Sequence, residues 1–142
     1  MKKPSVASST AKLPNPPSFF LDANLGKYQI AQQLRDAGET VIVHDDHFAE
    51  GTKDEVWLDE VGRKGWIVLT KDDQIRYHRT EVEAIKHSGA RVIILPRGNI
   101  KAADLGTIIV GALPKIKRFV EKNPPPFIGR LSPQGNIGMI RI

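Results

Sequence analysis

Carboxylates recur at one kind of position in this 142-residue chain: the end of a short apolar run. Asp22 closes SFFLD, Asp45 and Asp46 follow VIVH, and Asp72 and Asp73 follow IVLTK. Asp54 and Glu55 stand just ahead of an apolar patch that begins at Val56. Gathering such groups costs energy through like-charge repulsion. A divalent cation removes that cost, and ligands that are all oxygen select Mg²⁺ or Mn²⁺ over zinc. The same acids also have a plain structural use. Asp22 can cap a helix starting near Leu25, and Asp54 and Glu55 suit the positive end of a helix dipole, with Thr52 and Glu55 at capping-box spacing. Repetition at the same end of several runs favours the chemical use. His44 and His47 straddle Asp45 and Asp46 without a third spaced ligand, while Asp59, Glu60, His78 and His87 read as solvated surface. There is no cysteine, so thiolate metal sites and cysteine nucleophiles are excluded. Nucleophile-elbow, phosphate-loop and dinucleotide glycine motifs are also absent.

For these acids to meet, the runs ahead of them must be strands of one sheet. SFFLD (18–22), TVIVHD (40–45), WIVLTKD (66–72) and RVIILP (91–96) are almost continuously apolar and rich in β-branched or aromatic residues. That pattern predicts strands covered on both faces. Helical stripes lie between them: Leu25, Ile30, Ala31, Leu34 and Ala37, stopped by Gly38; then Val56, Trp57, Leu58 and Val61. A third helix is predicted over Arg79 to His87, ending before Gly89. The longest stripe runs from Leu105 to Val120, and Pro114 within it predicts a kink or a split. Beyond Pro124, Pro125 and Pro126, FIGRL and IGMIRI flank SPQGN as a hairpin or a pair of edge strands. Strand and helix in alternation predict a three-layer α/β/α domain with a mostly parallel sheet. If the first and third strands are neighbours, Asp22 and Asp72 converge beyond their carboxyl ends.

The net charge of +5 is unevenly spread: residues 1–17 carry +3, residues 18–114 carry −3 and residues 115–142 carry +5. An acidic middle suits a hard cation, and basic flanks suit a polyanion. Residues 1–17 have too few bulky apolar side chains to offset their ordering entropy and are expected to be a disordered basic tail, with one domain over 18–142. No apolar run approaches the ~20 residues of a membrane span, and the basic start lacks the apolar core of a signal peptide. The expectation is a cytoplasmic protein that makes no use of a membrane.

Three segments together carry a family resemblance: FFLDANL (19–25), VIVHDDHFAEGTKDEVWLDEVGRKGWIVLTKD (41–72) and QIRYHRTEVEAIKHSGARVIILP (74–96). Over roughly residues 18–122 the chain resembles the PIN-like domains, in the branch related to VapC-type toxin ribonucleases. The resemblance implies a sheet ordered 3-2-1-4-5, a carboxylate cluster holding Mg²⁺ or Mn²⁺, and hydrolysis of RNA phosphodiesters. It also implies a cognate antitoxin as protein partner, and a homodimer is the candidate assembly. Asp22, Asp54 and Asp72 match the metal-binding acids. The fourth acid has no clear counterpart: Asp73 is adjacent to its place, and Gln74 stands where related chains can carry a second Asp. The catalytic set is therefore expected to be Asp22, Asp54, Asp72 and Asp73. Lys71, Arg76 and Arg79 follow the third strand and are candidates for holding phosphates. Lys115, Arg118 and Lys122 can share one side of the last helix and are candidates for RNA contact. The alternatives are a PIN-like module without catalysis and a phosphoacceptor receiver. A receiver needs an acid pair at the first strand, whereas this strand ends Asp22-Ala23.

Overall fold

Six short strands share one sheet, and the helices between them divide over its two faces, in a computed structural model that describes residues 13–25 and 28–142. The strands are β1 (Ser18–Leu21), β2 (Thr40–Val43), β3 (Ile67–Thr70), β4 (Arg91–Ile94), β5 (Phe127–Leu131) and β6 (Ile137–Ile140). Their order is β2-β1-β3-β4-β5-β6; the first five run parallel, and β6 returns antiparallel as the second arm of a terminal hairpin. All four residues of β3 and of β4 are buried, as continuous apolar runs require of strands covered on both sides.

The order is close to the implied 3-2-1-4-5 and differs at one edge. Only β2 lies outside β1, because the residues after β2 wind into helices instead of pairing with it. Those helices are α2 (His44–His47) and α3 (Asp54–Lys64). α1 (Gln29–Asp36) and α5 (Ala102–Lys122) cover one face through Leu34, Ile109, Ile116 and their neighbours. On the other face α3 and α4 (Arg79–Ser88) bury Trp57, Leu58, Val61 and Ile85 against Phe20, Val68 and Val92. Among the described residues no helix is long and apolar enough to cross a membrane.

Two local expectations need correction, and a third, the kink or split at Pro114, is narrowed. Pro114 does not split α5, which runs through it as a single 21-residue helix. Proline deletes one backbone donor there, while Leu113 and Ile116 on either side stay buried and hold the helix to the sheet. The capping box of Thr52 and Glu55 does not form; α3 is capped at Lys53, and the Thr52 hydroxyl donates to the Ala49 carbonyl instead. Asp22 does not cap α1, which starts only at Gln29; its backbone carbonyl closes the short 3-10 turn Ala23–Leu25. The expected basic tail lies outside the described residues up to residue 12, and Leu13 packs against the core beside α5.

α3 and α4 both lead from the carboxyl edge of the sheet back to its amino edge, so they lie side by side and parallel. Their approach depends on Gly62. A Cβ at that position would meet Ser88 Oγ and stand 2.7 Å from Ser88 Cβ. Gly62→Val is therefore expected to lower unfolding free energy by about 1–3 kcal/mol, the usual cost of overpacking. Urea denaturation measures it, and an unchanged midpoint would mean that the helices are not in close contact there.

Candidate metal centre

The carboxyl edge of the sheet is where the acids gather. β1 and β3 are direct neighbours, with Leu21 opposite Leu69, so Asp22 and Thr70 stand side by side one residue further on. The Thr70 hydroxyl donates to Asp22 Oδ2 at 2.7 Å and accepts from the Asp72 backbone N–H at 3.0 Å. One side chain thus ties the acid ending β1 to the turn following β3. The other Asp22 oxygen accepts from the Ala23 N–H at 2.6 Å. Asp72 opens the 3-10 turn Asp73–Tyr77, and its Oδ1 accepts from the Gln74 N–H at 3.0 Å.

Asp54 comes to the same place from the first turn of α3. The Trp57 indole N–H donates to its Oδ1 at 3.0 Å, so a buried aromatic ring orients it. A further acid joins from the first turn of α4: Glu81. Among the described residues, Asp54, Asp72 and Glu81 form the one group of three or more potential metal-ligating side chains, with ligand atoms all within 4.8 Å of one another. His78 Nδ1 sits 3.2 Å from both Glu81 oxygens. Sequence reasoning missed Glu81. It lies on a polar stretch with Glu83 two residues away, and only the parallel packing of α3 and α4 selects between them.

Repulsion and burial both leave their mark. Burial pushes the Asp22 carboxyl above its ordinary range, against hydrogen bonds from Thr70 and Ala23, and the negative charge of Asp54 pushes the same way. Burial also raises Glu81, against the hydrogen bond from His78, with Asp54 and Asp72 adding to the rise. An all-oxygen donor set with crowded negative charge fits a hard divalent cation. The three ligand atoms, all within 4.8 Å of one another, lie close enough that Asp54, Asp72 and Glu81 would hold one such ion together.

The remaining predicted residues fall elsewhere. Asp73 stands outside the group of three. Its Oδ2 lies 2.9 Å from Arg97 Nη1 and 3.9 Å from Arg130 Nη2. Asp45 pairs with His44 and His47 with Glu60, within the layer around α2. Lys71 is exposed beside Asp72; Arg76 lies over the Tyr77 ring; Arg79, at the start of α4, pairs with Glu83 at 3.2 Å. Lys115, Arg118 and Lys122 do share one side of α5, lining a groove of about 300 Å³ with Phe119, Asn136 and Ile137. That groove belongs to the last third of a helix about 30 Å long, which runs from the carboxyl edge to the amino edge of the sheet.

Two comparisons bear on this arrangement. The family model described as PIN like domain matches residues 17–97. A curated Mycobacterium tuberculosis protein named "Putative ribonuclease VapC45" is 32% identical over 119 residues, covering 81% of this chain and 86% of that protein. No solved structure matches the chain.

The raised pKa values set a sign. The folded protein keeps protons on Asp22 and Glu81 that the unfolded chain has already released. Their contribution to stability is therefore most favourable below the ordinary carboxylate range and declines as pH rises through the raised values. In chelator, the melting temperature of the double variant Asp22→Asn, Glu81→Gln relative to the unsubstituted protein is expected to climb between about pH 4 and pH 7. Curves that stay parallel across that window would contradict the reading.

Proposed function

This chain belongs to the PIN-like domain family, and from that premise we propose that it is a divalent-metal-dependent ribonuclease, the toxin of a toxin–antitoxin pair. The observation that carries the proposal is the convergence of Asp54, Asp72 and Glu81 at the carboxyl edge, with Asp22 tied alongside through Thr70. The name of the mycobacterial relative supports RNA as the substrate.

Asp54, Asp72 and Glu81 would hold Mg²⁺ or Mn²⁺, with Asp22 completing the site. When bound, such an ion activates water and neutralises charge that develops on the phosphate. Glu81 would supply the fourth acid, for which the sequence offered no clear counterpart beyond the neighbouring Asp73. The protein's own part is positioning. Thr70 fixes Asp22, the Trp57 indole fixes Asp54, and the Gln74 N–H fixes Asp72, so the acids are held before substrate arrives. Lys71, Arg76 and Arg79 flank the cluster and would hold phosphates near it. Lys115, Arg118 and Lys122 lie on the opposite face of the sheet beside the β5–β6 hairpin, where Lys115 Nζ donates to Asn136 Oδ1 at 2.8 Å. β6 is three strand spacings, about 14 Å, from β3, further than the ~8–10 Å over which charges act through physiological salt. Their part would be to hold more distant stretches of a longer RNA. A cognate antitoxin would restrain the enzyme in the cytoplasm, and a homodimer is the candidate assembly.

The purified chain, freed of any bound protein, is expected to cleave RNA with Mg²⁺ or Mn²⁺ and to stop on addition of chelator. Asp72→Asn and Glu81→Gln should each reduce the rate by roughly two orders of magnitude, the scale of removing one group that meets developing charge. RNA left intact while Mn²⁺ still binds would instead identify a PIN-like module without catalysis. A triple Lys115→Ala, Arg118→Ala, Lys122→Ala variant should cleave a short oligonucleotide normally and a long RNA less efficiently; an equal loss on both would contradict the distant placement.

A further inference from the structure

The acids are one end of a longer row. Strand register places His44, Asp22, Thr70, Ile94 and Arg130 in successive positions across the sheet, from β2 to β5. Alternation puts the side chains of Asp22, Thr70, Ile94 and Arg130 on the face covered by α3 and α4, the face of Phe20, Val68, Val92 and Ile128. From Asp22 to Arg130 is three strand spacings, about 14 Å. Arg97 enters from the loop after β4, where the Leu95 N–H donates to the Thr70 carbonyl at 2.7 Å and extends the β3–β4 pairing past the strand end. The carboxyl edge thus changes sign along its length, from the acids at β1 and β3 to two arginines at β4 and β5.

Asp73 joins the halves. It follows Asp72 in the chain, yet its carboxylate turns toward Arg97 and Arg130. The Asp73 side chain is only 11% exposed, whereas that of Arg97 is 67% exposed, so the pair anchors the arginine at one end and leaves most of its fork facing water. Two guanidinium groups against one carboxylate leave an excess positive charge. Guanidinium offers paired donors that match phosphate oxygens.

We propose that Arg97 and Arg130 are a phosphate clamp for RNA lying across the carboxyl edge of the sheet, and that Asp73 is a positioning residue that holds the clamp rather than a metal ligand. The proposal rests on the ribonuclease reading and adds the path of the substrate. RNA crosses from β5 toward β1, with flanking phosphates on the arginines and the cleaved phosphodiester at the carboxylates.

The test is fluorescence-anisotropy titration of the full chain with a labelled 20-nucleotide single-stranded RNA, in chelator, at several salt concentrations from low salt upward. Arg97→Ala and Arg130→Ala should each weaken binding several-fold and flatten the plot of log affinity against log salt by about 0.7 for each phosphate no longer held. Asp73→Ala separates positioning from charge. Simple loss of a negative charge would tighten RNA binding; loss of an anchor weakens it, and Asp73→Asn, which keeps an acceptor for Arg97, should recover part of the loss. Thermal melting with and without Mn²⁺ accompanies every variant, and all four should keep the Mn²⁺-induced rise. An unchanged salt slope in Arg97→Ala overturns the clamp, as does tighter binding in Asp73→Ala. Loss of the Mn²⁺ response in Asp73→Asn would make that residue a ligand and likewise overturns the assignment. If the unsubstituted protein itself ignores RNA even at low salt, the ribonuclease reading falls and takes the clamp with it.

Discussion

Everything at the carboxyl edge hangs on the parallel register of β1 with β3. That register sets Asp22 beside Thr70, and the Thr70 hydroxyl then bonds to the Asp22 carboxylate on one side and the Asp72 backbone on the other. Strand side chains alternate between faces, so a slip of one residue would send Asp22 to the face of α1 and α5, away from Asp54 and Glu81. Phe19, Leu21, Ile67 and Leu69 on one face, and Phe20 and Val68 on the other, are fully buried and make such a slip costly. The apolar core therefore fixes the acids, and one of its residues, Trp57, also bonds directly to Asp54.

The core also bears the cost of the site. Asp54, Asp72 and Glu81 crowd one point with Asp22 beside them, and burial, reinforced by that repulsion, pushes the Asp22 and Glu81 carboxyls above their ordinary range. Such an arrangement destabilises the metal-free fold and binds a cation more strongly for the same reason, since an ion that binds only the folded cluster adds its binding free energy to folding. The parallel contact of α3 with α4, closed at Gly62 and Ser88, brings the first turns of both helices to one place. Asp54 and Glu81 occupy those two turns, where the helix dipoles also favour negative charge.

Asp22, Asp54 and Asp72 were legible in the sequence because each sits at a boundary: two close apolar runs and one opens an apolar helix. The three-layer class, the terminal hairpin and the shared side of Lys115, Arg118 and Lys122 were legible for the same reason, since periodicity reports which side of an element is buried. Glu81 was not, because its place follows from how two helices pack against each other, and Glu83 offers the same chemistry two residues on. Asp73 was misleading in the opposite way. Adjacency to Asp72 suggested a shared site, but the turn after β3 rotates successive side chains apart, and Asp73 meets Arg97 and Arg130 instead. Thr52 shows the weakness of local capping rules, for its hydroxyl bonds backward to Ala49. Strand order was less legible than strand identity, because periodicity marks which residues are buried and not which strand lies beside which.

The central claim is that Asp54, Asp72 and Glu81 act as one cation site. Isothermal titration of Mn²⁺ into the unsubstituted protein, Asp72→Asn, Glu81→Gln and Glu83→Gln tests it most directly. Glu83 serves as the control, being exposed on the same helix and paired with Arg79. Asp72→Asn and Glu81→Gln are each predicted to weaken Mn²⁺ binding by at least the roughly 10–100-fold typical of disturbing a metal site's outer shell, while Glu83→Gln binds as the unsubstituted protein does. Equal Mn²⁺ affinity in all four proteins would contradict it.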